Sequence, residues 1–445
     1  MLHLLPRSHH RIGTLLLGAA LAWVEPSAAQ QPADRVEQAI VRAVDANNPA
    51  AVTLLQRLVE INSGSMNFPG VRAVGAVLRA QFDSLGFRTR WVDGTPFNRA
   101  GHLVAEHPGP GPGLLLIGHL DTVFEPDHPF QGWQQFGDTA AKGPGVTDMK
   151  GGDVIIVQAL KALRAAGALE RMNITVVMTG DEESSGDPLS LARAALIDAA
   201  LKADIAIGFE DGDGDPRTAV VARRSSSSWV LRASGNAAHS SQVFKPAVGY
   251  GAVFEVARIL DAFRVRLSGE ELLTFNPGVV VGGTTVTFDI ENDRGTAMGK
   301  TNVVAAEMTV RGDVRTITPE QLARTQAAMR AIVAQHLPGT SASIEFEEGY
   351  PPLAPTDGNY RLLAMYDQVS KDLGFGPVAA VDPGAAGAAD ISFTSAHVTM
   401  ALDGLGLSGT GGHTALETAD LRMLPLVTKR AAVLLYRLSR GAPVP

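Results

Sequence analysis

The stretch Leu114-Leu115-Leu116-Ile117-Gly118-His119-Leu120-Asp121-Thr122-Val123 is an apolar run that ends in a histidine and an aspartate two positions apart. Four to eight apolar residues closed by glycine suit a buried parallel-sheet strand, and in open α/β sheets ligands collect beyond the carboxyl ends of the strands. In extended chain, residues i and i+2 point the same way. The Asp121 carboxylate is therefore expected to accept a hydrogen bond from the far ring nitrogen of His119 and fix its tautomer. On that reading His119 is a metal ligand with its supporting carboxylate attached. A solvated strand-end turn fits the same pair, and the residues downstream must separate the two.

Downstream, a glycine-rich loop from Lys142 to Gly152 places Asp148 just before a helix expected over Val154–Ala166. A strand over Asn173–Met178 runs into Asp181-Glu182-Glu183, and another over Ala203–Phe209 ends in Glu210. Each strand is tipped by acid. Acids enriched at a helix N-terminus would explain Asp181-Glu182-Glu183 alone, but here they follow an apolar strand in step with the other sites. Upstream, apolar spacing predicts two helices between Ala33 and Ile61, broken at Asn47-Asn48-Pro49, then a helix over Val71–Leu85 and a strand over Phe87–Val92.

The texture changes near Arg223. Half-buried strands at Trp229–Ala233, Val279–Phe288, Val303–Val310 and Ser343–Phe346 alternate with helices at Tyr250–Arg264 and Pro319–His336. After Pro351-Pro352 the α/β pattern returns, with a helix over Tyr360–Leu373, a strand over Val398–Leu402, a loop carrying His413 and a last helix over Leu424–Leu438. The fold class expected is α/β, a mostly parallel sheet with helices on both faces, spanning residues 30–223 and 351–445. An antiparallel α+β unit over 224–350, a lid or dimerisation domain, interrupts it.

With 45% hydrophobic and 19% charged residues and a net charge of −8, the chain has a globular composition and offers nothing to nucleic acid or an anionic membrane. It has no cysteine, so any zinc must be held by His, Asp and Glu. Arg7 and Arg11 precede an apolar segment from Ile12 to Val24 and then Pro26-Ser27-Ala28-Ala29. That order predicts a signal peptide over residues 1–29, export to the periplasm or beyond, and no membrane association after cleavage.

Acid-tipped and His-tipped strand ends plus a late histidine form the inventory of a two-metal site. His119-Leu120-Asp121-Thr122-Val123, Asp148-Met149-Lys150-Gly151-Gly152, Asp181-Glu182-Glu183 and His413 resemble the signature of the co-catalytic zinc hydrolases that include glutamate carboxypeptidase, aminoacylase and succinyl-diaminopimelate desuccinylase. The resemblance runs over nearly the whole mature chain. It implies two Zn²⁺, with Co²⁺ or Mn²⁺ able to use the same ligands. Asp148 would bridge them, His119 and Glu210 would hold one, and Glu183 and His413 the other, with Glu182 as general base. It also implies a homodimer in which His239, in Gly235-Asn236-Ala237-Ala238-His239, stabilises an oxyanion in the partner's site. Asn302 and Arg315 match substrate-binding positions.

The expected substrate is a small peptide or N-acyl amino acid cut next to a free carboxylate. An aminoacylase-like amidohydrolase shares every metal-site residue. A catalytically silent binding protein on the same fold would be expected to have lost a ligand or Glu182, and none is missing. A serine hydrolase would need a Gly-x-Ser-x-Gly elbow, which does not occur. The loop Gly384-Ala385-Ala386-Gly387-Ala388-Ala389-Asp390 departs from the Gly-Gly-Thr or Gly-Gly-Ser run of the family, so its substrate contacts are expected to differ. Gly404-Leu405-Gly406-Leu407-Ser408-Gly409 matches a dinucleotide fingerprint in form only. Asp211-Gly212-Asp213-Gly214-Asp215 opens like a calcium loop, but Pro216 and Ala222 stand where Gly and Glu are needed.

Overall fold

Alternation along the strand Gly113–His119 decides which core each side chain enters. Leu114 and Leu116 pack into a core shared with the helices Arg35–Val59, Lys150–Ala165 and Met423–Ser439. Leu115 and Ile117 face the other way, onto Ala195, Leu196 and Ala199 of the helix Ala194–Ala200. Both faces of the sheet are thus covered, which is why the strand reads as unbroken apolar sequence. The computed structural model describes residues 34–441 apart from Glu291. The expected leader, residues 1–29, lies outside the described residues.

Six strands form the main sheet, in the order Arg88–Asp93, Gly101–His107, Asn173–Thr179, Gly113–His119, Ile205–Gly208 and Met400–Leu402. The last four run parallel, so their carboxyl ends open on one edge. Gly101–His107 pairs antiparallel with both of its neighbours and is a strand the pattern reading did not identify. Among the described residues no helix is long and apolar enough to cross a membrane.

The break expected at Asn47-Asn48-Pro49 does not occur. Arg35–Val59 is one helix with Pro49 inside it. Its buried face, including Ile40, Val44, Leu54, Leu55 and Leu58, continues on both sides of the proline, and Asn47 Nδ2 donates to Gln158 Oε1 at 2.8 Å. Burial of that stripe offsets the roughly 3 kcal/mol that an interior proline costs. A small sheet of Gly409–Thr410, Thr418–Asp420, Ala140–Lys142 and Gln134–Phe136 was also not anticipated, its strands being too short to show a period.

Between its two connectors the chain forms a second antiparallel sheet, in the order Thr274–Gly283, Glu307–Arg315, Ser227–Gly235, Thr340–Phe346. The helices Ala252–Leu267 and Pro319–Val333 share a separate core with it, made of Trp229, Leu231, Ile259, Phe263, Val310 and Met329. The strand expected over Val303–Val310 lies later, at Glu307–Arg315, because Gly312 must stand opposite Trp229. A Cβ on Gly312 would come within 2.3 Å of the indole. The stretch expected as one strand near Val279–Phe288 is two, and the second, Thr285–Asp289, forms a hairpin with Arg294–Met298. The connectors pair with each other. Arg223 and Leu353 exchange two backbone hydrogen bonds of 3.0 Å, and Ser226 N donates to Tyr350 O at 3.0 Å.

The helix after Asp148 starts at Lys150, four residues before the apolar pattern suggested, because Gly151 and Gly152 belong to it. A Cβ on Gly152 would stand 2.0 Å from the carbonyl oxygen of Phe209, the residue before Glu210. That carbonyl is backbone and cannot rotate away. Gly152→Ala is expected to lower stability by about 1–3 kcal/mol, the usual range for overpacking. Urea unfolding measures it, and no change in midpoint would reject the close approach.

Candidate active site

Asp148 lies between two imidazoles, one carboxylate oxygen to each. His119 Nε2 is 3.0 Å from its Oδ1, and His413 Nε2 is 2.9 Å from its Oδ2. His119 comes from the end of a strand, Asp148 from the loop before a helix, and His413 from an exposed turn where its φ is 60°. Glu210, beyond the strand Ile205–Gly208, brings Oε1 to 3.5 Å from His119 Nε2. Glu183 brings Oε2 to 3.1 Å from His413 Nε2. The strand-end rule therefore gathers side chains from five separate stretches at one edge of the sheet.

Electrostatics mark the cluster as built for cations. Burial would raise Asp148, yet hydrogen bonds from His119 and His413 hold it well below the carboxylate range. Its hydrogen bonds to the carboxylates of Asp148 and Glu183 push His413 up to about 11. Burial pushes Glu182 and Glu210 well above their ordinary values, and neighbouring carboxylates add to the effect. Glu183 Oε1 is buried with no hydrogen-bond partner in the protein. His119 with Asp148 and Glu183, and His119 with Glu182 and Glu210, each bring one ligand atom per residue within 4.8 Å of the others. Hard oxygen donors and imidazole nitrogens crowded this way fit divalent ions of the zinc type, and the orphaned Glu183 oxygen adds a donor free to take one.

Residues 115–437 match the model of a family described as Peptidase family M20/M25/M40. The chain belongs to that family. It is a metallopeptidase-type hydrolase with carboxypeptidase-like kinship. Carboxypeptidase G2 of Pseudomonas sp. strain RS-16 is 24% identical over 432 residues, covering 95% of this chain and 96% of that one. A 158-residue stretch is 34% identical to a probable succinyl-diaminopimelate desuccinylase of Staphylococcus epidermidis, 34% of this chain and 36% of that one. Among solved structures, aminopeptidase PepT of Bacillus cereus superposes with a TM-score of 0.69 at 18% identity, covering 88% of this chain and 99% of that one. The YXEP protein of Bacillus subtilis, titled a dinuclear metal-binding peptidase of the M20 family, gives 0.60 at 15%, covering 89% and 99%. At these identities the two structures speak for the fold.

Within this M20-family site, Asp121 departs from its expected contact. His119 Nδ1 is 3.1 Å from the Asp121 backbone carbonyl and 3.5 Å from its carboxylate. The carboxylate is taken up elsewhere. It accepts from Ser65 Oγ at 2.6 Å, Glu182 N at 3.0 Å and Glu183 N at 3.1 Å. Two further buried acids, which the sequence reading missed, do the same for other site residues. Glu417 accepts from Gly145 N, Thr147 N and Asp148 N at 2.9–3.2 Å. Asp403 accepts from Glu210 N at 3.3 Å and from Arg223 Nε at 2.8 Å. Asp403 ends the strand Met400–Leu402, so the rule that singled out Glu210 would have found it. Glu417 lies in a loop with no pattern to announce it.

Three sequence-derived candidates stand apart. His239 is exposed, with Nδ1 2.9 Å from Ser241 Oγ, and Asn302 is its neighbour, since Ser240 N donates to Asn302 O at 2.8 Å. Arg315 Nε is 3.1 Å from Asp313 Oδ2. Among the described residues, no hydrogen bond or ion pair joins any of the three to the His119 cluster.

Glu417→Gln puts an NH₂ group opposite at least one of the backbone N–H groups from which Glu417 now accepts, loosening the loop that carries Asp148. Supporting residues of this kind are typically worth about 10–100-fold in metal affinity, and a loss of that size is expected. Competition with a fluorescent zinc chelator measures it. An affinity within about twofold of wild type would show that the loop holds itself.

Proposed function

We propose that this protein is an exported di-zinc hydrolase that cuts a peptide or N-acyl amide bond next to a free carboxylate, as a glutamate carboxypeptidase does. The observation that carries the reading is Asp148 between His119 and His413, with Glu210 and Glu183 on either side. In it Asp148, His119 and Glu210 would hold one ion, and Asp148, Glu183 and His413 would hold the other. Zn²⁺ suits this cysteine-free set, and Co²⁺ or Mn²⁺ can occupy the same ligands. Such ions supply Lewis acidity, polarising the scissile carbonyl and making water acidic near neutral pH.

The chain's own residues do the rest. Glu182 takes the proton from the attacking water and gives it to the leaving amine. Asp121 acts through others: it orients His119 and, by its bonds to the amides of Glu182 and Glu183, aims both side chains. Arg315 and Asn302 are assigned to substrate, the arginine as a planar fork for its carboxylate. His239 is assigned to the developing oxyanion in a homodimer, where an exposed side chain is free to serve the partner's site. Export rests on the leader pattern of residues 1–29.

Hydrolysis of a panel of N-acyl amino acids and dipeptides with varied C-terminal residues tests the substrate class. Cleavage only of acyl amino acids would make it an aminoacylase-like amidohydrolase, and no cleavage of any would overturn the reading. Chelation is expected to abolish activity and remove about two ions per subunit. Glu182→Gln should keep both ions while kcat falls by about 10²–10⁴, read from elemental analysis beside steady-state rates. Near wild-type turnover would place the base elsewhere.

A mixed dimer tests the role of His239. Loss of an oxyanion donor typically costs about 10²–10³ in rate, so His239→Ala homodimers are expected to be nearly inactive. A heterodimer of Glu182→Gln and His239→Ala subunits is expected to regain one working site, because the subunit that keeps Glu182 borrows the histidine of the other. No recovery in a verified heterodimer would rule out a shared site.

A further inference from the structure

The segment that carries Glu182 and Glu183, residues 181–188, is neither helix nor strand, so its backbone polar groups must find partners outside any ladder. The amides of Glu182 and Glu183 go to Asp121. The carbonyl of Glu182 accepts from the hydroxyl of Tyr350 at 3.0 Å. Tyr350 lies in the returning connector of the inserted unit, where its own carbonyl accepts from Ser226 of the outgoing one. One side chain therefore ties the loop of the proposed general base to the crossing point between the two sheets.

Neighbouring groups decide where the single proton of the phenol goes. Arg193, fully buried, donates from Nη2 to the Tyr350 hydroxyl at 2.5 Å, and a guanidinium can only donate. The phenol must accept there, which leaves its single proton for the Glu182 carbonyl or for Ser185 Oγ at 3.1 Å. Ser185 Oγ carries a proton of its own to give, so the Glu182 carbonyl receives the phenol's. Arg193 is in turn fixed by Asp390 at 2.7 Å from Nε and Asp181 at 2.7 Å from Nη1. Its guanidinium also faces the rings of Tyr350 and Phe393. Tyr350 packs edge-on against Phe393 with centroids 4.9 Å apart. A planar, permanently charged fork suits a hub with this many acceptors, as an ammonium would not.

We infer that Tyr350, held by the Arg193 hub, is a positioning residue for Glu182: its hydroxyl fixes the carbonyl of the general base and couples that base to the connector of the inserted unit. The inference rests on the reading of Glu182 as the base. Asp121 holds the residue from its N–H and Tyr350 from its C=O. Neither touches the Glu182 carboxylate, so both act on where it points. Misplacement of a catalytic group by about 1 Å can cost on the order of 10²-fold in rate.

Tyr350→Phe removes the hydroxyl and keeps the ring against Phe393 and Arg193, so the fold is expected to survive. The expected result is a fall in kcat of about 10–100-fold, with KM within about threefold, both ions retained, and faster hydrogen–deuterium exchange in peptides covering residues 181–188. Arg193→Lys keeps the buried charge without the fork and should change the same quantities in the same direction. A kcat within twofold of wild type, unchanged exchange over residues 181–188, or a loss of rate that only tracks lost metal in the Tyr350→Phe protein would each overturn the inference. If the wild-type protein cleaved nothing on the panel, the functional reading would fail, while the exchange measurement would still judge whether Tyr350 holds the loop.

Discussion

Each acidic side chain at the cation-binding edge is held by its backbone N–H, and in every case the acceptor is another buried carboxylate. Asp121 takes the amides of Glu182 and Glu183, Glu417 takes that of Asp148, and Asp403 takes that of Glu210. Like charges about 4 Å apart repel by roughly 4 kcal/mol at an effective dielectric of 20. Without fixed backbones the acids would turn away from one another. A carboxylate bound to amide N–H groups anchors the loop without competing for the cation, because its lone pairs are already engaged. The site is thus two shells of acid, an inner one aimed by an outer one.

The outer shell also explains how the fold tolerates a whole second sheet inside its chain. Asp121 comes before the insertion, while Asp403, Glu417 and His413 come after it, so the site closes only when both segments of the main sheet meet. Met400–Leu402 completes that meeting by pairing parallel with Ile205–Gly208, which sets Asp403 beside Glu210. Arg223, on the outgoing connector, then binds Asp403 across a distance of 180 residues in sequence. Tyr350, on the returning connector, reaches Glu182. One connector is therefore bonded to a group that aims the inner shell and the other to the inner shell itself.

The parts of this arrangement legible in the sequence are those that announce themselves by a change of character. His119, Glu183 and Glu210 each follow an apolar strand, and Asp148 follows a glycine-rich turn, so a step from apolar to acidic marks them. The helix-covered main sheet and the antiparallel unit were visible for the same reason, as a change from continuous to alternating apolar runs. Supporting residues that do not end an apolar strand carry no such mark. Glu417 and Ser65 sit in polar loops, and Arg193 precedes a short helix as one arginine among many. Pro49 misled because a proline breaks a helix in isolation, whereas here the buried stripe on both sides of it decides.

Asp121 shows how a local rule can be right in its result and wrong in its route. The i, i+2 geometry does bring Asp121 beside the His119 ring, but three donors from Ser65, Glu182 and Glu183 already occupy its carboxylate. The ring Nδ1 meets the Asp121 carbonyl instead, at 3.1 Å. A carbonyl can only accept, so Nδ1 must carry a proton, and Nε2 is the nitrogen turned to the edge where Asp148 and Glu210 wait: it donates to Asp148 here and is the atom that would offer its lone pair to an ion. The tautomer is the one a carboxylate partner would have imposed. What changes is the division of labour: the backbone of Asp121 sets the histidine, and its side chain is left to hold Glu182 and Glu183 on the neighbouring loop.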